Sequence, residues 1–418
     1  MLHLIWKNIW HKKLSLAMSL LLLALGTGII SMLLLIEKSI SSKLDADLRG
    51  TELVVGAKGS PLQLVLSAIY HTDAPTGNIS LAEVEKLGRN PMVEWWIPLS
   101  YGDTYRGSRI VGTTPRYLQL YHAQLASGRV FAQPMEVVAG AAIASRAGLQ
   151  PGSSFTGTHG EGGEEHKEHP YKVVGVLQPT GTVLDGLLLT PTETVWAVHH
   201  HEEEEEAADS TNAAGSHAAH DHEARHTPEA DHDHDEEPVQ ITAALFKFRS
   251  PMALMTMPRL VNAQTNMQAA NPVVEVRRLM TLLSVGADTL KAIGGGIMLV
   301  SALSIFIALY LRLQERRYEM ALLRSMGCPR SGLLWLVLGE GLLIALAGTA
   351  LGLALSRLGL WLLQGQSASG FQLRLLPQWL PAEWWLVLLT VGLGTLAALL
   401  PAIKAFGLNI SKTLAHEA

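Results

Sequence analysis

The chain has 418 residues, 48% of them hydrophobic and 17% charged, with a formal net charge of −5. That mixture is too apolar for an ordinary soluble chain and too polar for one buried wholly in lipid. The single cysteine, Cys328, excludes an intrachain disulfide and a thiolate metal cluster.

The average charge misleads. Residues 199–238 hold fourteen Asp or Glu against one Arg and contribute −13, so the remainder carries +8. Such a remainder suits a membrane protein with basic cytoplasmic edges.

Residues 1–13 alternate apolar side chains (Leu4, Ile5, Trp6, Ile9, Trp10) with Lys7, Lys12 and Lys13, the pattern of an amphipathic helix on the inner membrane face. Residues 14–37 are the first predicted transmembrane helix. Leu14–Ile36 carries no charge, and at roughly 1.5 Å per residue it crosses a hydrocarbon core of about 30 Å. The lysines before it place the N-terminus in the cytoplasm. A cleaved signal peptide is the rival reading, but the run is long for a signal core and no A-x-A-like site follows.

Residues 38–290 form a predicted extracytoplasmic domain of mixed α/β type. Short β-branched runs predict strands at Glu52–Val55, Arg109–Gly112, Glu136–Val138, Tyr171–Leu177, Ile241–Phe248 and Val273–Val276. Ser60-Pro61 and Ser250-Pro251 each predict a capped helix start with a first-turn proline, and Ser80-Leu-Ala-Glu83 predicts a capping box. The insert 199–238 breaks this pattern: it has almost no aliphatic residues and is expected to be disordered unless a ligand orders it.

Three further spans follow, at 291–311, 332–363 and 383–404. A basic coupling segment at 312–331, an external loop at 364–382 and a cytoplasmic tail at 405–418 complete the chain. Both termini then lie inside, and the positive-inside rule holds at every crossing.

No P-loop G-x-x-x-x-G-K-[ST] occurs, and no catalytic constellation stands out. The chain is therefore expected to be a non-catalytic subunit without a catalytic cofactor, and any ATP-Mg belongs to a partner. No nucleic-acid partner is predicted.

In the coupling segment, Glu315, Glu319 and Arg324 stand near Tyr318, Met320, Leu322 and Leu323, before Gly327 and Pro329 break the helix. Composition leaves two readings open: a basic loop that only sets topology, or an apolar anchor with a charged rim that docks on a cytoplasmic partner.

The run Glu315-Arg-Arg-Tyr-Glu-Met-Ala-Leu-Leu-Arg-Ser-Met-Gly327 resembles the coupling segment of the FtsX-like/MacB-like ABC transporter permeases, the mechanotransmission type. The glycine-rich third span and the terminal Leu400-Pro401-Ala402 are similar to theirs. In the middle domain, Ser127-Gly128-Arg129, Val137–Gly140, Ala147–Gly152 and Val173–Thr182 recur in the order of their periplasmic core. Together these features resemble the family over nearly the whole chain except 199–238. The resemblance implies four membrane helices plus a MacB-like core domain in a bacterial inner membrane, without a fused ATPase. It also implies a second permease copy, two separate ABC ATPase subunits, and contact with lipid and with a periplasmic or outer-membrane partner.

Two further features are read from the residues. Gly341, Gly348, Gly352 and Gly359 fall near one face of the third span, as for a close helix contact or for ordinary glycine enrichment. Glu340 lies in the same span, where a carboxylate is costly, and is expected to make a structural hydrogen bond or ion pair rather than a transport site.

The insert holds nine histidines, His199, His200, His201, His217, His220, His222, His226, His232 and His234, among carboxylates. This donor set suits Zn²⁺, and the alternative is a solvated acidic linker. The leading functional expectation is ATP-driven export or extraction of an envelope substrate. A metal-linked transporter or sensor, and a cargo-free regulator of an envelope enzyme, are the alternatives.

Overall fold

The computed structural model describes residues 13–158, 170–198, 239–315, 320, 325–327, 329–364 and 379–406. The chain divides into two compact units, an α/β unit spanning Lys43–Leu279 and a helical unit built from the flanking sequence. The first helix, α1, covers Lys13–Leu48 and runs well past the charge-free stretch. Arg49 and Gly50 end it, both with positive φ, 45° and 77°.

The α/β unit opens with β1 (Leu53–Ala57) and α2 (Pro61–Ala68). α2 starts where the sequence places it: Pro61 fills the first turn and Ser60 accepts from the Gln63 amide. Next come β2 (Ile79–Ser80) and α3 (Leu81–Gly88). The helix at Ser80 forms without the expected capping box, since Ser80 makes no side-chain cap bond; its backbone is held as the end of β2, paired with Gln240.

The chain then runs through β3 (Val93–Tyr105), β4 (Ser108–Thr113), α4 (Pro115–Leu120), β5 (Leu125–Gly128) and β6 (Glu136–Ala139). α5 (Ala141–Ala147), β7 (Ser154–Phe155) and β8 (Tyr171–Leu177) follow. A 3₁₀ turn at Val183–Gly186 leads to β9 (Leu188–Pro191), and β10 (Gln240–Ile241), β11 (Ala243–Phe248), α6 (Pro251–Gln264) and β12 (Met267–Ala270) complete the unit.

Ten of these strands form one sheet in the order β12-β1-β11-β3-β4-β9-β6-β8-β5, with β7 added on β8. Pairing is antiparallel except at β4–β9 and β6–β8. The long strand β3 joins the two halves. Its first part pairs with β11 and its second with β4, with a register shift between Tyr101 and Thr104. Each half has its own core. One gathers Leu53, Val55, Phe246, Met257 and Val261, and the other Ile110, Val137, Ile143, Phe155 and Val173.

One of the family-like motifs, Ser127-Gly128-Arg129, has a clear physical role. Gly128 has φ 80°, and a Cβ there would overlap the Val174 carbonyl oxygen, so only glycine lets β5 approach β8. Arg129 then pairs with Glu136, which also accepts from the Ala132 and Gln133 amides at 2.9 and 3.2 Å. The Arg129 hydrogen bond, more than those amides, lowers the Glu136 carboxyl to about 2.

Val273–Val276, expected as a strand, is helical. It lies in the first turns of α7 (Pro272–Glu315). Asn271 caps that helix by accepting from the Val273 and Val274 amides, and Pro272 sits at its first position, so the N-terminal signal overrides the β-branched run. The strand is instead β12, immediately before it. α8 (Arg330–Gln364) and α9 (Pro381–Phe406) complete the helical unit. α1, α7, α8 and α9 are each long and apolar enough to cross a membrane. α7, with 44 residues, is about 66 Å long, roughly twice a hydrocarbon core.

Candidate functional site

The coupling segment begins at the end of α7. Of its candidate residues, Tyr318, Glu319, Leu322, Leu323 and Arg324 lie outside the described residues. Glu315 is exposed at the helix end. Met320 departs from the expectation of a docking contact. It is 6% exposed, packed in a cluster with Leu313, Leu333, Val337 and Ala402, and so anchors the segment to α7, α8 and α9 instead of facing a partner. The break after it is as read: Gly327 has φ 93°, and α8 begins just after Pro329.

Beside Met320, Arg312 of α7 and Glu340 of α8 form an ion pair. Both side chains are 11% exposed. A charge so buried is expensive unless it is paired, and each is the other's counter-ion. A cavity of about 20 Å³ borders the pair, lined by Leu309, Leu313, Met320, Leu336 and Val337. Arg312 Nη2 has no hydrogen-bond partner. Glu340 is thus engaged with a cation from the neighbouring helix.

The glycines of α8 pack chiefly against two neighbours. A Cβ on Gly352 would lie 2.7 Å from the Ala24 carbonyl oxygen and 2.8 Å from Thr27 Cβ, and one on Gly348 would lie 2.7 Å from Leu23 Cδ2, so both abut α1. Gly341 faces α9, where a Cβ would overlap that of Ala398. On α1, Gly28 faces the Gly352 carbonyl, and Gly26 faces Gly294 and Met298 of α7. Absent side chains let these backbones approach closely where hydrophobic burial offers little drive between helices. Ser19 adds a hydroxyl contact to Ser304 at 3.1 Å and accepts from Ser301 through its carbonyl.

At the opposite end of α8 is a polar group that sequence reading missed. Glu383, fully buried, receives Arg357 through both guanidinium nitrogens, Ser31 Oγ at 2.7 Å and the Leu380 amide at 3.1 Å. Ser31 and Ser356 hydroxyls are 3.0 Å apart. The Arg357 guanidinium also lies 5.5 Å from the Trp379 ring centroid. α1, α8 and α9 are therefore tied by one satisfied network. Its only advance signal was a lone Arg and a lone Glu at the edges of apolar spans.

The nine candidate zinc-ligating histidines of the insert lie outside the described residues. Among the described residues, no group of three or more His, Cys, Asp or Glu is placed to hold a metal ion.

With four long apolar helices and one mixed α/β unit in place, comparison with known families is decisive. Residues 16–216 match the profile of the MacB-like periplasmic core domain, and residues 291–410 that of the FtsX-like permease C-terminal region. The chain belongs to the FtsX-like/MacB-like ABC transporter permeases. Members are permease-type subunits, generally non-catalytic.

Among solved structures, the periplasmic region of MacB from Actinobacillus actinomycetemcomitans is 11% identical with a TM-score of 0.34, covering 57% of this chain and 97% of its own. The extracellular domain of the noncanonic ABC-type transporter YknZ from Gram-positive bacteria is 12% identical with a TM-score of 0.30, covering 52% and 99%. No curated protein matches the chain.

Proposed function

We propose that this permease couples ATP hydrolysis on a separate cytoplasmic ABC ATPase to movement of its extracytoplasmic domain, for export or extraction of an envelope substrate. The observation that carries this reading is the continuity of α7. One unbroken helix starts directly after strand β12 and ends at Glu315, where the coupling segment begins. A helix is stiff along its axis, so displacement at one end reaches the other.

In this reading Tyr318, Leu322 and Leu323 supply the apolar contact with the ATPase, and Glu315, Glu319 and Arg324 its charged rim. Met320 and the Arg312–Glu340 pair hold the segment from behind. A second copy of the chain completes the permease. The N- and C-termini lie in the cytoplasm, and the α/β unit lies outside. Leu322→Asp should release the ATPase or uncouple its hydrolysis while the chain still inserts in the membrane. Full, coupled ATPase activity in the purified variant complex would place the docking site elsewhere.

The histidine insert favours a second reading, in which the same machine is metal-linked and residues 199–238 act as a Zn²⁺ receptor outside the membrane.

A further inference from the structure

The last turn of α1 is held unusually firmly by the α/β unit to which it belongs. A helix ends with carbonyls that no helical amide reaches. Asp47 O, one of these, accepts from the Tyr121 hydroxyl at 2.9 Å. One turn earlier, Leu44 O accepts from the Tyr70 hydroxyl at 3.0 Å through its second lone pair. Leu48 O accepts from the Thr51 amide at 2.8 Å.

Side chains of the same turn reach the start of the 3₁₀ turn and the loop before it. Asp47 Oδ1 accepts from the Val183 amide at 3.1 Å, and Lys43 Nζ donates to Gly181 O at 3.4 Å. Arg49, in its strained left-handed conformation, lays its guanidinium 5.9 Å from the Tyr121 ring centroid. Tyr70 and Tyr121 are almost fully buried. Burial first, and the charge of Asp47 next, raise both phenols above their ordinary range, so both stay protonated donors.

The contact continues inward. The Tyr121 ring meets Tyr117 edge-on at 5.2 Å, and the Tyr117 hydroxyl lies 2.9 Å from His71 Nε2. His71 Nδ1 lies 2.9 Å from the Tyr101 hydroxyl, which itself donates to Ser67 O. Tyr101 sits on β3 at the register shift where the two halves of the sheet join. With Tyr101 donating to Ser67, His71 must donate from Nδ1 and accept at Nε2, which fixes its tautomer. His71 also holds φ 53°, in the left-handed region uncommon for residues other than glycine.

We infer that Asp47, Tyr70 and Tyr121 are positioning residues that lock the end of α1 to the α/β unit, and that Tyr117, His71 and Tyr101 carry this lock to β3, so that displacement of α1 moves the sheet as a body. The inference rests on the coupling reading above and adds to it the place where force enters the domain.

The experiment uses the full chain with its ATPase in lipid nanodiscs, and a Tyr70→Phe/Tyr121→Phe double variant that removes only two hydroxyls. On the chain alone, amide exchange over residues 43–51 should quicken about fivefold or more, the effect of losing hydrogen bonds each worth about 1 kcal/mol. In the complex, Mg-ATP should change exchange across β3 and β8 of the wild type. The double variant should lose most of that change while ATP turnover stays near wild type and the chain melts only several degrees lower, a split that a merely structural role would not produce. Asp47→Ala, which removes the acceptor of the Val183 amide, should behave in the same way. A double variant that keeps the full nucleotide-dependent change overturns the lock. A wild-type complex whose ATPase docks and turns over but whose α/β unit never responds to nucleotide defeats the coupling reading, and the lock with it.

Discussion

Arg357 grips Glu383 with both arms of its guanidinium, Nη1 to Oε1 at 2.9 Å and Nη2 to Oε2 at 2.8 Å. The two residues belong to consecutive spans and meet at one end of the helical unit, where Ser31 of α1 joins them. This geometry uses the planar fork of arginine and leaves no lone pair of the carboxylate facing hydrocarbon. It fastens three helices at one level, while Arg312 and Glu340 fasten α7 to α8 at the other.

Removing one partner should be far worse than removing both. Glu383→Ala leaves a guanidinium without its counter-ion and is expected to cost about 3–5 kcal/mol. Arg357→Met combined with Glu383→Leu should recover most of that loss. Thermal unfolding of the purified chain in nanodiscs reads the difference. A single variant as stable as wild type would mean that the pair is solvated and contributes only what a surface pair does.

The close approach of α1 and α8 gives a second expectation. Gly352→Ala puts a methyl 2.7 Å from the Ala24 carbonyl oxygen, a backbone atom that cannot swing aside. The helices must separate, at about 1–3 kcal/mol. Gly295→Ala is the matched control, because no heavy atom lies within 4 Å of its added methyl in this chain. Equal melting temperatures for the two variants would refute the contact.

His71 makes the α/β unit acid-sensitive. Burial first, and the charge of Arg109 next, lower its imidazole from 6.5 to about 3. Between those values the unfolded chain binds a proton that the folded chain refuses, so stability rises with pH across the window and is lost as pH falls through it. From pH 7.5 to 5.0 the loss should be about 2 kcal/mol. His71→Asn should flatten that part of the pH profile, as read by exchange protection in β3. An unchanged slope in the variant would assign the acid sensitivity to another group.

The spans were legible because a charge-free run some twenty residues long has few other uses, and because lysines and arginines cluster at its edges. The strand Tyr171–Leu177 was legible for a related reason, its three valines falling in one short, mostly apolar run. β3 was not. Its thirteen residues carry Trp95, Trp96, Pro98 and Gly102, and a strand shared between two half-sheets shows no single alternation. Val273–Val276 misled because β-branched residues also serve as the first turns of a helix when Asn and Pro precede them. The helix contacts of the four glycines were only half visible: spacing gives a face, but which neighbour each glycine meets depends on packing. Arg357 and Glu383 are 26 positions apart on different helices, and no local pattern pairs them. The burial of Met320 belongs to the same class, since an apolar residue in a charged segment looks alike whether it faces a partner or its own bundle.

The histidine-rich insert should bind Zn²⁺. Nine histidines within residues 199–238, at spacings such as His217-x-x-His220, His222-x-x-x-His226 and His232-x-His234, offer several ways to chelate one ion without a rigid scaffold. Neutral imidazole is a good ligand for Zn²⁺, and the fourteen carboxylates draw cations and supply oxygen donors. Because protonated imidazole cannot ligate, affinity should fall as pH drops through about 6.5. Removing His199–Glu237 should abolish most Zn²⁺ binding by the purified chain. Strands β9 and β10, which flank the insert, should stay folded, since β9 is held by β4 and β6 and β10 by β2. Titration calorimetry on intact and deleted chains, at pH 7.5 and 5.5, separates the outcomes. Equal binding by both chains would move the metal to the rest of the protein, and pH-independent binding would assign it to carboxylates instead of histidines. Cells carrying the deletion then test the physiological half: unchanged zinc tolerance would leave the insert as a metal-binding segment with no part in transport.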